Sequence, residues 1–310
     1  QAYVFNLRLV PGRGSLHSPK ALQLMKNFSL TFLHKQQFGS LHKAFEAVFY
    51  NYPGSVNTGP EEFKQRLARM GMSYGLSAVA WQNAAVAGFI LTATGYFNGK
   101  KTAYNAGTGV IPGCRGRGVA KELYHFLFSA LAEQQYEACL LEVLTTNHVA
   151  IKVYKQLGFT VSRYLHCFTL QEQLLSAPVK KFPLQMGKPP VPDPDLYHTF
   201  AETCASWPNS LDCVMRSYPR ETVVEAWHKA QTVGFVTFDP QNGRVSQVGV
   251  HPGFRRKGIG TQLLRAAQML SVPKTLTIIN VDRKCSSLVG LLQALGFTNP
   301  LDQYEMVRQL

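Results

Sequence analysis

Val110-Ile-Pro-Gly-Cys-Arg-Gly-Arg-Gly-Val-Ala120 has a second copy of its pattern 140 residues later, Val250-His-Pro-Gly-Phe-Arg-Arg-Lys-Gly-Ile-Gly260. Each copy follows an apolar run typical of a β-strand and precedes a stretch with the periodicity of an amphipathic helix. A backbone that turns through glycine into a helix points several unpaired N–H groups one way, and the helix dipole adds positive potential. The repeat therefore predicts two binding sites for phosphate groups, one in each half of the chain.

The bulk composition fits a two-domain globular protein. With 310 residues, the chain is long enough for two separate cores. It carries 32 Lys and Arg against 18 Asp and Glu, a formal net charge of +14 at pH 7, which would fit a nucleic acid or a membrane surface. The basic residues are spread along the chain, with no run of five and no nucleic-acid-binding motif. A phosphorylated co-substrate accounts for part of the excess, so nucleic acid is not the favoured partner.

Cysteine usage indicates a reduced, cytoplasmic protein. The six cysteines form no C-x-x-C pair and no zinc-ligand spacing, which predicts free thiols and no metal site. The sequence contains no signal peptide and no apolar run of about 18 residues, so no membrane partner or span is expected.

A proline-rich segment divides the chain. Residues 176–194 contain six prolines and no helical periodicity, which is typical of a linker. The segment separates a predicted N-terminal domain, residues 1–175, from a shorter C-terminal domain, residues 195–310. The phosphate loops are 140 residues apart, whereas the Leu-Gly-Phe sequences at 157–159 and 295–297 are 138 apart. We interpret the chain as a duplicated domain with a two-residue deletion in the second copy.

Hydrophobic periodicity predicts a similar order of elements in both halves. In the first half, strands are predicted at 3–10, 76–81, 86–93, 102–110 and 138–144 with a last pair around 160–170, and helices at 18–36, 40–50, 61–70, 118–134 and 149–157. In the second half, helices are predicted at 195–204, 220–230, 258–270 and 286–295, and strands at 233–238, 245–250, 275–280 and 305–310. This order predicts an α+β fold, an antiparallel sheet with one parallel βαβ crossover around each loop.

Two kinds of loop residue would bind a phosphate group. Glycines permit the close approach that an anion site needs, and arginine and lysine supply positive charge. The candidates are Val110, Arg115, Gly116, Arg117, Gly118, Val119 and Ala120 in the first loop, and Val250, Arg255, Arg256, Lys257, Gly258, Ile259 and Gly260 in the second. Neither copy has the Gly-x-Gly-x-x-Gly order of a dinucleotide fold or the Gly-Lys-Ser/Thr of a P-loop.

With the spacing Arg-x-x-Gly-x-Gly/Ala after a Val-x-Pro strand end, both halves resemble the GNAT superfamily of N-acetyltransferases over nearly the whole chain. The resemblance implies two GNAT-fold domains, each a mixed, mostly antiparallel sheet with a splayed central strand pair and flanking helices. It also implies acetyl-CoA as co-substrate. The loop would bind its pyrophosphate, and the pantetheine arm would pair with the strand that ends at Val110 or Val250.

In the first half, the resemblance implies catalytic residues, because residues 141–159 are similar to the LEV–N–AI–Y–GF motif of GNAT enzymes. Asn147 would contact the pantetheine arm, and Tyr154 would donate a proton to the sulfur atom. Glu142 stands twelve residues before Tyr154, where the ribosomal-protein alanine acetyltransferases carry a general base. Tyr154 could instead be a helix aromatic, and Glu142 a solvated or salt-bridged strand residue. A water molecule could then accept the proton.

The second half lacks these groups. Counting back from Gly296, the tyrosine position holds Leu292, the asparagine position Cys285 and the glutamate position Asn280. Leucine cannot donate a proton, and asparagine is a poor acceptor. His251 stands at a strand end where GNATs commonly carry a histidine without a catalytic role. We therefore expect the second domain to bind CoA without turnover, or to support the first.

Together these observations predict an acetyl-CoA-dependent N-acetyltransferase in which a neutral amine attacks the thioester directly in the N-terminal domain. The alternative is a CoA-binding sensor or scaffold without chemistry. The acceptor is a small-molecule or peptide amine: a polyamine, an aminoglycoside, an amino acid, a peptide N-terminus or a lysine. The positive net charge disfavours a polycation among these.

Overall fold

A computed structural model describes residues 28–50, 59–171 and 182–310 of the chain. The described residues form two compact units. The first unit holds the residues up to Ser162 together with Tyr304–Leu310, and the second holds Arg163–Gln303. The predicted ranges 1–175, 176–194 and 195–310 follow chain order instead, and they stay a prediction of how the chain is organised.

The elements of the two units follow a parallel order. The strands of the first half are β1 (Ser29–Phe32), β2 (Ala78–Gln82), β3 (Ala85–Phe97), β4 (Lys100–Val110), β5 (Ala138–Leu144) and β6 (Thr160–Leu170), and its helices are α1 (Phe38–Phe49), α2 (Pro60–Met70), α3 (Val119–Glu133) and α4 (His148–Gln156). The later strands are β7 (Gln185–Gly187), β8 (Thr222–His228), β9 (Gln231–Asp239), β10 (Arg244–Val250), β11 (Leu276–Asp282) and β12 (Thr298–Gln309), and the later helices are α5 (Pro194–His198), α6 (Leu211–Ser217), α7 (Ile259–Leu270) and α8 (Ser286–Ala294).

Each unit takes one strand from the end of the other half of the sequence. In the first unit the strands run in the order β1-β2-β3-β4-β5, followed by the end of β12. In the second they run β7-β8-β9-β10-β11, followed by residues 165–170 of β6, which pair antiparallel with β11. Met306 of β12 is accordingly buried in the hydrophobic core of the first unit.

The central strand pair of each unit is splayed. Among the described residues, parallel β4 and β5 pair only at Thr102↔Ala138, Ala103↔Cys139 and Tyr104↔Leu140, although β4 continues to Val110. In the second unit, β10 and β11 pair only at Arg244↔Thr277. A bulge at residue 106 of β4, and another at residue 246 of β10, shifts the register where the strands part. Bulges bend a strand, so they help to open each gap.

Packed helices support the phosphate loops. Val119, Leu123, Leu127 and Leu131 form one apolar stripe of α3, and all four are buried against the sheet in the core of the first unit. On α7 the stripe is Ile259, Leu263 and Ala267. Each loop therefore leads into a helix whose position the core fixes.

Several predicted elements differ from the observed ones. The helix predicted at 220–230 is strand β8, because Thr222, Val223 and Val224 are β-branched or follow one another in a fully buried run. The helix predicted at 195–204 is limited to α5, and the last strand begins at Thr298 instead of 305. The strand pair around 160–170 is the single strand β6. The helix predicted at 18–36 includes strand β1, and its residues 18–27, like the strand predicted at 3–10, lie outside the described part of the chain.

Candidate active site

The first phosphate loop has the backbone of an anion site. Gly116 and Gly118 have φ angles of +74° and +79°, and Gly118 is the N-cap of α3. Within the described part of the chain, the N–H groups of residues 116–120 donate to no backbone carbonyl. Free N–H groups at a helix N-terminus attract phosphate. The loop therefore fits the pyrophosphate of a CoA thioester.

The second loop keeps the same conformation with a different residue. Gly258 has φ +81° and is the N-cap of α7, and in the described structure the N–H groups of residues 256–260 also donate to no backbone carbonyl. The position of Gly116 is held by Arg256, which has φ +64°. A side chain in this left-handed region costs roughly 1 kcal/mol. The loop retains its shape despite that strain.

The first arginine of each motif holds the end of the preceding strand. The Nε of Arg115 donates to the carbonyl of Val110 at 3.1 Å, and the Nε of Arg255 donates to that of Val250 at 3.2 Å. Arg255 also donates to the carbonyl of Phe200 at 3.1 Å. These arginines therefore fix the backbone of the loop in addition to supplying the positive charge expected from the sequence.

Glu142 lies at the point where β4 and β5 separate. Its side chain is half-buried, and its carboxylate accepts a hydrogen bond from the hydroxyl of Tyr104. Tyr104 lies in the last residue pair between the two strands, opposite Leu140. Because alternate residues of a strand face opposite sides of the sheet, Tyr104 and its neighbour Asn105 address different faces of the opening.

On the other face lies a group of four buried polar residues, Asn105, Thr108, Tyr124 and Tyr154, here called the tyrosine cluster. Asn105 Nδ2 donates to the Tyr124 hydroxyl at 2.8 Å, and the Thr108 hydroxyl lies 3.2 Å from it. The rings of Tyr124 and Tyr154 meet edge to face, with centroids 6.0 Å apart. The cluster therefore joins α3 and α4 to the splayed end of β4.

Burial dominates the acidity of both tyrosines. It raises the pKa of Tyr154 to about 12, while hydrogen bonds from Tyr124, Thr108 and Asn105 act in the opposite direction. Burial raises the pKa of Tyr124 further, well above 10. Both phenols are consequently protonated at neutral pH, and Tyr154 is the more acidic of the two.

The second unit has no tyrosine cluster. The equivalent positions hold Val245, Val248, Leu264 and Leu292, at offsets of 140 residues for the first three and 138 for the last. Leu264 and Leu292 are fully buried. Comparing the two halves at these offsets would have found Asn105, Thr108 and Tyr124 from the sequence. Their polar side chains stand in otherwise apolar runs, so we had not singled them out.

The residues before α4 and α8 also differ. Asn147 is 3% exposed and caps α4, because its Oδ1 accepts from the N–H of Ala150 at 3.1 Å. Cys285 holds the same position before α8 and accepts no capping hydrogen bond. Glu202 takes over that role from a distant segment, since its carboxylate accepts from the N–H of Ser287 at 3.2 Å.

Glu202 is a residue that sequence reasoning missed. Its carboxylate also accepts from the hydroxyl of Ser287, from the thiol of Cys285 at 3.4 Å and from the hydroxyl of Ser286 at 3.3 Å. The hydrogen bond from Ser287, with those from Cys285 and Ser286, holds the pKa of this carboxyl below its usual value. No local pattern marks Glu202, because its partners lie more than 80 residues away.

A cavity of about 500 Å³ opens beside the second loop. Its lining includes Gly249, Val250, Arg255, Gly258, Cys285 and Glu202. The cavity therefore runs along the strand end and the loop that were expected to bind pantetheine and pyrophosphate. Outside it, His251 Nδ1 accepts from the N–H of Gly253 at 3.1 Å, which stabilises the turn.

Comparison with known proteins identifies the family. Residues 41–159 match the model of the Acetyltransferase (GNAT) family, and residues 219–299 match that of the Acetyltransferase (GNAT) domain. Together the matches cover more than half of the chain. The chain therefore belongs to the GNAT acetyltransferase family, which transfers acetyl groups from acetyl-CoA, and it carries two GNAT domains. A search of curated protein sequences found no match.

Solved structures share the tandem fold at low sequence identity. A tandem GNAT protein from the clavulanic acid biosynthesis pathway superposes with a TM-score of 0.71 at 15% identity, over 91% of this chain and 98% of that one. A GCN5-related N-acetyltransferase from Sphaerobacter thermophilus gives 0.67 at 14% identity, over 91% and 96%. One from Kribbella flavida gives 0.59 at 16%, over 91% and 71%. These likenesses confirm the predicted α+β fold with two GNAT domains.

Two further observations concern the described residues alone. None of their helices is long and apolar enough to cross a membrane. Within the same ranges, no three His, Cys, Asp or Glu side chains are grouped so that they could hold a metal ion.

Proposed function

We propose that this protein is a cytoplasmic, acetyl-CoA-dependent N-acetyltransferase whose first unit catalyses transfer to the amine of a small molecule or peptide. The observation that carries the proposal is the tyrosine cluster. Buried polar groups are unfavourable unless they are fully hydrogen-bonded. The first unit keeps four of them at the splayed strands, whereas the second unit has aliphatic residues at the same places.

In this proposal the two faces of the opening divide the proton transfers. Glu142, or a water molecule beside it, takes a proton from the incoming ammonium, and the neutral amine attacks the thioester carbonyl. Backbone N–H groups near Val110 polarise that carbonyl. Tyr154 gives its proton to the departing thiolate, a role that suits a phenol that is protonated at neutral pH. Asn147 and residues 110–120 hold the co-substrate.

For the second unit we propose binding of acetyl-CoA without turnover. Its loop has the same free N–H groups, and its cavity of about 500 Å³ extends along Val250 and Gly258. Leu292 cannot replace Tyr154 as an acid. This half of the chain thus favours the non-catalytic, CoA-binding role for one unit only.

The number of binding sites tests the division of roles. Titration calorimetry with acetyl-CoA should give two sites in the unchanged protein. Gly118→Val and Gly258→Val introduce a branched side chain at φ near +80°, and each should remove one site. Turnover should be lost in Gly118→Val and retained in Gly258→Val. Retention of turnover in Gly118→Val would show that the first unit is not the catalyst.

The proposed acid is tested by Tyr154→Phe. Release of CoA thiol should be measured with spermidine, glucosamine, lysine and an N-terminal alanine peptide as acceptors. With the best acceptor, kcat should fall at least 100-fold while the Kd for acetyl-CoA stays within about twofold. The matched control is Leu292→Met at the equivalent position, which should leave kcat unchanged. An unaltered kcat in Tyr154→Phe would exclude the assigned role.

A further inference from the structure

The tyrosine cluster has a defined direction of hydrogen-bond donation. The Oδ1 of Asn105 accepts from the N–H of Gly107 at 2.9 Å and from the hydroxyl of Thr108 at 3.1 Å. These donors fix the orientation of the amide, so its Nδ2 must face Tyr124, to which it donates. Since the Tyr124 oxygen accepts from Asn105, its own proton is available for the oxygen of Tyr154.

A phenol that gives up its proton inside the core leaves a charge that needs donors. Tyr154 is 2% exposed, so water cannot solvate its phenolate. A buried charge without hydrogen bonds is strongly unfavourable. Tyr124 is the group suited to this role, because it is fully buried, holds its proton more firmly than Tyr154 and contacts it directly.

Resting on the proposed function of Tyr154 as the acid, we propose that Tyr124 is a positioning residue whose hydroxyl, oriented by Asn105 and Thr108, stabilises the phenolate of Tyr154. In the step concerned, the O–H bond of Tyr154 breaks and an S–H bond forms on the thiolate of CoA. The negative charge passes from sulfur to the Tyr154 oxygen, which accepts the hydrogen bond of Tyr124. A proton from water restores the phenol after CoA leaves.

The inference can be tested without turnover. A fluorotyrosine installed at residue 154 ionises at lower pH than tyrosine, and its ¹⁹F resonance reports the pKa of that single phenol. In Tyr124→Phe this pKa should rise by about one, since a donor to the phenolate is lost. Thr108→Val, which introduces the residue found at the equivalent place in the second unit, should raise it less. Tyr136→Phe, outside the cluster in the same unit, should not change it.

Kinetics separate a tuning role from a packing role. In Tyr124→Phe, kcat should fall about tenfold at unchanged KM for acetyl-CoA, and fluorotyrosine at residue 154 should restore part of the loss because it is a stronger acid. An unshifted ¹⁹F pKa in both Tyr124→Phe and Thr108→Val would overturn the inference. If Tyr154→Phe still abolished turnover in that case, the proposed function would stand. Normal turnover in Tyr154→Phe would overturn both.

Discussion

At the scale of single residues, the two loops solve the same backbone problem with different side chains. Gly116 turns the first loop, and a Cβ built at this position meets no atom within 4 Å. Arg256 makes the same turn in the second loop with its side chain in a left-handed conformation. Because space is not limiting, the dihedral angle alone separates the two residues. Strain of this kind is retained where a site needs the conformation or the charge.

Exchanging residue types at this position should separate stability from binding. Gly116→Ala should lower the free energy of unfolding by about 1 kcal/mol, because the left-handed conformation disfavours a Cβ. Arg256→Gly should raise it by roughly 0.5 kcal/mol, since relief of strain exceeds the added entropy of the unfolded chain. The same Arg256→Gly variant should bind acetyl-CoA more weakly at its second site. Urea unfolding and calorimetry measure these effects, and a neutral Gly116→Ala would contradict the argument from strain.

At the scale of elements, a helix end in the second unit depends on a distant carboxylate. Asn147 caps α4 locally, whereas the start of α8 is capped by Glu202. The segment that carries Glu202 is also bound at Phe200 by Arg255 of the loop. Both contacts lie on the wall of the cavity. Glu202 therefore holds this segment in place and covers the thiol of Cys285.

Removal of that carboxylate should expose Cys285. Burial raises the pKa of this thiol, and the charge of Glu202 raises it further. In Glu202→Ala, modification of Cys285 by a thiol reagent should be roughly tenfold faster, because both access and thiolate content increase. Glu202→Gln, which keeps an acceptor oxygen, should show a smaller increase. Peptide mapping distinguishes Cys285 from the exposed Cys204. An unchanged rate in Glu202→Ala would mean that Glu202 does not secure the segment.

The sequence predicted the elements around each loop because their patterns are local. Glycines, the Val-x-Pro strand end and the stripe of α3 need no information from the rest of the chain. Strand β8 was predicted as a helix because Glu225, Ala226 and Trp227 have no alternating polarity; the strand is buried through Ala226. Glu202 and Tyr124 act through partners that only the folded chain brings together. Glu142 and Tyr154 were found by resemblance, and their roles stay predictions.

At the scale of the whole molecule, the end of the chain belongs to the unit formed by its beginning. Within the first unit, the guanidinium of Arg308 lies 4.0 Å from the ring centroid of Phe128 and donates to the carbonyl of Leu157. The N–H of Leu310 donates to the carbonyl of Glu137 at 3.0 Å. The domain that carries the proposed active site is thus completed only after the second GNAT domain has been synthesised.

This organisation predicts that a substitution in the last residues of the chain destabilises the first unit. Met306 is fully buried in the core of that unit. Met306→Ala should lower its free energy of unfolding by about 2–5 kcal/mol, because a cavity replaces packed side-chain atoms. Hydrogen exchange should then accelerate in β5 and α4 while β11 and α8 keep their protection. The matched control is Met269→Ala, where the side chain is 71% exposed and little change is expected. If Met306→Ala instead released the protection of β11 and left that of β5 intact, β12 would support the second unit alone.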